Sequence, residues 1–341
     1  MNKPIVSTLA LALALCITPQ ASAEDSEYEP TAEEIAIADQ YADLPESVKT
    51  YLAYLEDIDH RYPDSGEIDV ETFMALEGEQ LASRYCGALG FDGACAPAET
   101  GDEPGAFRAV DPAAYARTPN GTASGKWWNW LWEHLFNIGV IPEKSECPAP
   151  MKLVEIRMDD EDRKNDNQRG GWIGATLSNQ KETTYRFCKL DTITSLQFRP
   201  LPVANARMHD YSVANLAIFC PSGGRRYLRV EEGELSNNSG GSTGDVFPNF
   251  RIYNTWFNFY CHFEGGRKAF LGQMKTFPEI GTRYGVFAPG NMPATYALQR
   301  GWVHQDDEDT LNWNSWWFFN NAPVTEMSGG RNTDRSLVKV K

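Results

Sequence analysis

Outside its first segment, the chain of 341 residues has no apolar run long enough to cross a bilayer as a helix. That segment, residues 1–23, carries Lys3, an apolar run over residues 9–17 and then Ala21-Ser22-Ala23. This pattern predicts a secretory signal and a secreted or periplasmic product, with no transmembrane segment once the signal is removed. Catalytic signatures are missing as well: there is no G-x-S-x-G, no H-E-x-x-H and no P-loop. The five histidines, His60, His134, His209, His262 and His304, stand singly, so a binding role ranks above an enzymatic one. No basic stripe interleaves with aromatics, which excludes nucleic acid as a partner. Cysteine is scarce, and taking Cys16 away with the signal leaves six of the seven, an even number that predicts three disulfides.

What the chain does contain is one acidic run written three times. Residues 157–167 read RMDDEDRKNDN, residues 229–239 RVEEGELSNNS and residues 304–314 HQDDEDTLNWN. Aligned on Asp159, Glu231 and Asp306, the runs place Asn165, Asn237 and Asn312 together, followed by Asn167, Ser239 and Asn314. Starts 72 and 75 residues apart predict tandem supersecondary units. Cysteine agrees with this period: Cys147 and Cys188 lie 41 residues apart, as do Cys220 and Cys261, and the third segment lacks both members. Equal separations and a joint loss predict Cys147 with Cys188 and Cys220 with Cys261. Cys86 and Cys95, which bracket three glycines, predict a third disulfide that closes a turn.

Charge and texture divide the chain further. Residues 24–111 hold 23 acids and 4 bases, whereas residues 112–341 hold 24 acids and 26 bases. Apolar spacing predicts helices beginning near Thr31, at Pro45 (Val48, Leu52, Leu55) and over residues 70–85 (Phe73, Leu76, Leu81). The expected organisation is a signal over 1–23, an acidic helical region over 24–95, a proline-punctuated linker over 96–125, a Trp-rich helix over 126–141 and a β region over 142–341. Strand-like runs at 153–158, 171–177, 183–190, 227–230, 250–263, 302–304 and 315–319 place each acidic run where a strand ends. The expected fold class is therefore α+β: a small N-terminal helical region, then a mainly β region of three tandem repeat units, sandwich- or prism-like.

Carboxylates and Asn carbonyls crowded in a loop are hard oxygen ligands, so Ca2+ is the expected cofactor of the first and third runs. The candidate metal ligands are Asp159, Asp160, Asp162 and Asn165, with Asp306, Asp307, Asp309 and Asn312. The competing reading is a set of Asx-capped turns with no metal. Trp172, Trp313 and Trp316 stand near loops and are candidate ligand-stacking residues. Together these features point to a secreted binding protein that recognises a glycan or cell-surface component. The alternatives are a hydrolase using the loop carboxylates and a membrane-active toxin using residues 126–139.

Overall fold

The computed structural model describes residues 41–88, 95–97, 107–109, 135–160, 166–204, 207–233, 239–306, 314–317 and 332–341. Helix α1 (Glu46–Arg61) starts behind Pro45, which cannot continue a preceding helix, and buries Val48, Tyr51, Leu52, Tyr54, Leu55 and Ile58. This spacing is one helical face. Glu46 in the first turn and His60 and Arg61 in the last suit the helix dipole. Helix α2 (Val70–Ala88) packs beside α1 with Phe73, Leu81, Tyr85 and Ala88 buried. Leu76, expected on the buried face, is 63% exposed.

Sixteen strands are described: β1 (Cys95–Pro97), β2 (Phe107–Ala109), β3 (Ile138–Pro142), β4 (Lys152–Asp159), β5 (Gln168–Gly171), β6 (Leu177–Ser178), β7 (Glu182–Lys189), β8 (Tyr211–Asn215), β9 (Arg225–Glu232), β10 (Gly241–Thr243), β11 (Phe250–Ile252), β12 (Thr255–Phe263), β13 (Tyr284–Phe287), β14 (Ala297–Gln305), β15 (Ser315–Trp317) and β16 (Thr333–Val340). A short helix, α3 (Thr192–Ser195), follows β7 and is capped by Asp191. Fourteen of the strands form one antiparallel sheet. The longest pairings are β4 with β7, β9 with β12 and β14 with β16. Strands β3, β8 and β13 pair with β7, β12 and β16 and also with one another. Three shorter strands lie on the outer edges of the long ones: β10 on β4, β15 on β9 and β5 on β14.

Burial explains why the strands read differently in the sequence. Strand β4 hides Val154, Ile156 and Met158 and leaves Glu155 and Arg157 outside, an alternation with one packed face. Strand β12 is buried on both faces. Phe257 and Phe259 meet the helices, while Trp256 and Tyr260 face the cluster around Tyr185, Phe187 and Phe287. Its aromatics therefore run almost without interruption. Disulfides Cys147–Cys188 and Cys220–Cys261, with Cα atoms 5.5 and 5.4 Å apart, tie the start of each long hairpin to its return strand. Each removes about 4 kcal/mol of loop entropy from the unfolded chain.

Several expectations change. The Trp-rich helix does not reach residue 141, because Ile138–Pro142 is a strand: Gly139 lies against Phe187, Leu216 and Ala214, where a helix has no room. Residues 171–177 are two short strands joined by a turn, not one. Residues 250–263 are a hairpin turning at Tyr253-Asn254, not a single run. The signal, the helix expected near Thr31, residues 126–134 and the side chains of Cys86 and Cys95 lie outside the described residues. No described helix is long and apolar enough to cross a membrane.

Candidate functional site

The acidic runs begin where the long strands end, and their described carboxylates are taken up by the protein. Asp159 closes β4 and accepts the backbone N–H of Ser239. Asp306, just beyond β14, accepts the N–H of Asp166 at 2.8 Å, while its own N–H donates to Asn167 Oδ1 at 2.7 Å. Glu232 closes β9 and donates its N–H to Asn314 Oδ1 at 2.9 Å. Strand register pairs Gly241 with Arg157, Ser315 with Val230 and Gln168 with His304. Carried one residue back on the edge strands, it matches Asn167 and Asn314 with Gly240, and two residues on along the long strands it matches Asp159 and Asp306 with Glu232. The alignment on Glu231 and Ser239 is thus one place out in the middle run. The cysteines give the same answer, since Cys147 to Cys220 and Asp159 to Glu232 are both 73 residues.

The one-place shift matters because it sends Glu231 inward. At 1% exposure it accepts from Arg335 Nη2 and from Asn258 Nδ2, the latter at 2.6 Å. Arg335 also donates to Tyr185 Oη at 3.0 Å, to Gln305 Oε1 at 2.8 Å and to Tyr260 Oη at 3.2 Å, with its guanidinium over the Tyr185 ring. Gln305 continues the chain to Asp160 Oδ1 at 3.2 Å. Asp160 Oδ2 accepts from Thr183 Oγ1 at 2.8 Å and Asn167 Nδ2 at 2.6 Å. Burial pushes the Asp160 carboxyl up to about 7, against the pull of these donors and with the Glu231 charge adding to the rise. This is a closed polar core rather than an open site, and of the side chains just named only Asn258 keeps a buried atom, Oδ1, without a partner. Asp162, Asn165, Asp307, Asp309, Asn312 and Trp313 lie outside the described residues. Among the described residues no group of three or more His, Cys, Asp or Glu side chains is placed to hold a metal ion.

The outer face of β14 is different. Strand period two places Trp302 and His304 on one side, away from buried Val303. Trp302 is 37% exposed, and its indole lies across the strand on Gly170 of β5, where a Cβ would come within 2.6 Å of Nε1. Only glycine admits the ring there. His304 Nδ1 lies 2.5 Å from Asp334 Oδ1, and Asn332 Nδ2 lies 3.5 Å from Nε2. Gly170 is also part of the wall of an open cleft of about 520 Å³. Glu143, Lys144, Arg169, Arg186, Ile173 and the backbones of Gly171 and Gly174 also line it.

Other candidates are used for packing. Trp172 is half-buried over Gly285, whose Cβ would lie 2.3 Å from the ring, and its backbone crosses Gly301 too closely for any side chain. Trp316 packs edge-on against Tyr227 and Tyr260 at 6.1 and 5.9 Å. Both rings are partly buried by these contacts. A Ser-His-Asp grouping, Ser212 Oγ at 2.8 Å from His262 Nδ1 with Asp210 at 3.9 Å, is sealed: the three are 1, 4 and 7% exposed. No substrate carbonyl can reach Ser212, and burial drops the His262 pKa to about 3. Sequence reasoning missed Trp302, Gly170, Lys144, Arg169 and Asp334. The usable signal was the alternation Arg300, Trp302, His304, an aromatic on a polar strand face. Comparison with protein families, with curated proteins and with solved structures finds no match to the chain.

Proposed function

We propose that this is an exported glycan-binding protein whose ligand stacks on Trp302 and extends into the adjoining cleft. The observation that carries the reading is the indole of Trp302 held on Gly170, a residue that also lines that cleft, with His304, Asp334 and Asn332 near the ring. A sugar offers C–H groups on one face and hydroxyls at its edge, and a rigid ring next to mixed donors and acceptors matches both. The scaffold is read as three tandem β units, β3–β7, β8–β12 and β13–β16. The equivalent pairings of β4 with β7, β9 with β12 and β14 with β16, each flanked by one short edge strand on its first member, and the two disulfides of equal span support it. In this reading the acid and Asn positions clamp the edge strand of one unit to the long strand of another. Calcium in the first and third runs is the outcome that would replace it.

The test is an oligosaccharide array with the parent protein and Trp302→Ala. Loss of one stacked ring costs on the order of 1.4 kcal/mol, about tenfold in affinity. An unchanged melting temperature with binding reduced at least that far supports the site. Equal binding by the variant removes it.

A further inference from the structure

We infer that the ligand of this site is an acidic glycan, with a carboxylate or sulfate held by Lys144 and Arg169 in the cleft beside Trp302; the inference rests on the glycan-binding reading above. Four charged side chains line the cleft, and they fall into two kinds. Glu143 is bound by Lys339, whose side chain is 4% exposed, so its charge is compensated from beneath. Arg186 is committed to Glu155, with Nε 2.5 Å from Oε1, and Glu155 is fixed in turn by Thr243 Oγ1 at 2.9 Å. Lys144 and Arg169 are exposed, and among the described residues their side chains make no hydrogen bond or ion pair. The cleft therefore carries three cations against one acid; Lys144 and Arg169 are the two without a hydrogen bond or ion pair, although the Lys144 charge also acts on Glu143.

The wall between them offers no backbone cradle, because the Trp302 indole, the Arg300 carbonyl and the Pro142 carbonyl fill the space beside Gly170, Gly171 and Gly174, so an anion there is held by the two side chains. Arg169 offers a planar fork that fits a carboxylate or sulfate two bonds at a time, and Lys144 a compact point charge. The protein as a whole carries a net charge of −16, which repels polyanions at long range. Selection for an acidic ligand thus rests on these two local cations and is screened by salt over about 10 Å at 0.1 M. A neutral sugar would gain the stacking on Trp302 and hydrogen bonds beside it, but no charge-assisted bond in the cleft.

The experiment uses the full-length protein on an array of matched neutral, uronate and sulfated oligosaccharides, with Trp302→Ala, the double variant Lys144→Ala/Arg169→Ala, and the charge-keeping double variant Lys144→Arg/Arg169→Lys. The bound members are expected to carry carboxylate or sulfate, and which of the two sets binds names the anion. The alanine pair is expected to lose at least tenfold toward them with an unchanged melting temperature, and the charge-keeping pair to retain most of the binding. Equal binding of matched neutral members, or full acidic-ligand affinity in the alanine pair, overturns the acidic-glycan inference and leaves the Trp302 site standing. Binding of no member, or an unaffected Trp302→Ala, overturns the site itself.

Discussion

At the scale of single residues, two buried titratable groups set opposite limits on stability. Asp160 is fully buried, and its pKa is raised, by burial first, to about 7. A carboxyl whose folded pKa lies above its unfolded value near 3.9 contributes stability that is fully present below about pH 4 and is lost as pH rises through about 7. His262 works the other way. Its pKa is lowered to about 3 by burial and then by the charges of Arg225, Arg207 and Arg267, so its contribution is present above about 6.5 and is lost as pH falls. Between pH 5 and 6.5 the two slopes oppose each other and the parent stays nearly level, so the Asp160 contribution, about 2–3 kcal/mol lost between pH 5 and 7, is read from urea titrations as the difference between the parent and Asp160→Asn. Asp160→Asn should leave the His262 slope unopposed, so that its stability rises with pH from 5 to about 6.5 whatever the substitution does to the baseline. A variant with the parent's slope would mean that the Asp160 carboxyl does not carry the opposing one.

At the scale of elements, the joints between edge strands and long strands carry the acid and Asn pattern. Asn167→Ala leaves the Asp306 N–H without its side-chain acceptor, and Asn314→Ala does the same to Glu232. Each substitution should cost about 1–2 kcal/mol, the penalty of an unsatisfied backbone donor, and their effects should add because they sit on different joints. Millimolar calcium should raise the melting temperature no more than magnesium does. A calcium site saturated a hundredfold above its Kd would instead add roughly 2.7 kcal/mol and would mark Asp159, Asp160, Asp162 and Asn165, with Asp306, Asp307, Asp309 and Asn312, as ligands.

How far these elements were legible follows from the same joints. The two disulfides could be read because equal 41-residue separations survive any uncertainty in strand boundaries. The middle acidic run could not be aligned by composition, since Glu231 and Glu232 are chemically alike. Only strand pairing shows that one enters the core and the other meets Asn314. Similarly, Trp172, Trp302 and Trp316 look alike in a list of residues. What separates them is the glycine each one faces or the aromatic cluster it enters, information carried by cross-strand register. The β3 strand was hidden because Ile138–Pro142 is apolar throughout and buried on both sides, a run with no period to distinguish strand from helix.

At the scale of the whole molecule, the change of charge near residue 112 does not mark a change of core. Tyr51 and Tyr85 of the helices meet Phe250 and Phe247 of the β region at 5.8 and 4.8 Å, and Phe73 meets Phe219 at 4.7 Å. One hydrophobic cluster runs from Val48 to Phe259. An ion pair crosses the same boundary: Arg226 Nη2 of β9 lies 3.3 Å from Asp59 Oδ1 of α1, and the Arg226 side chain is 1% exposed. Such a shared core predicts that the helices and the sheet unfold together, so helical circular dichroism and tryptophan fluorescence should give coincident transitions. Asp59→Ala leaves a buried guanidinium without its carboxylate, and because Asp59 itself is partly exposed the loss should be on the order of 2 kcal/mol rather than the full penalty of a sealed pair. That loss should move both transitions by the same amount. If the helical signal shifts and the fluorescence transition stays in place, the helical pair is an independent unit and the continuity of the cluster does not couple it to the sheet.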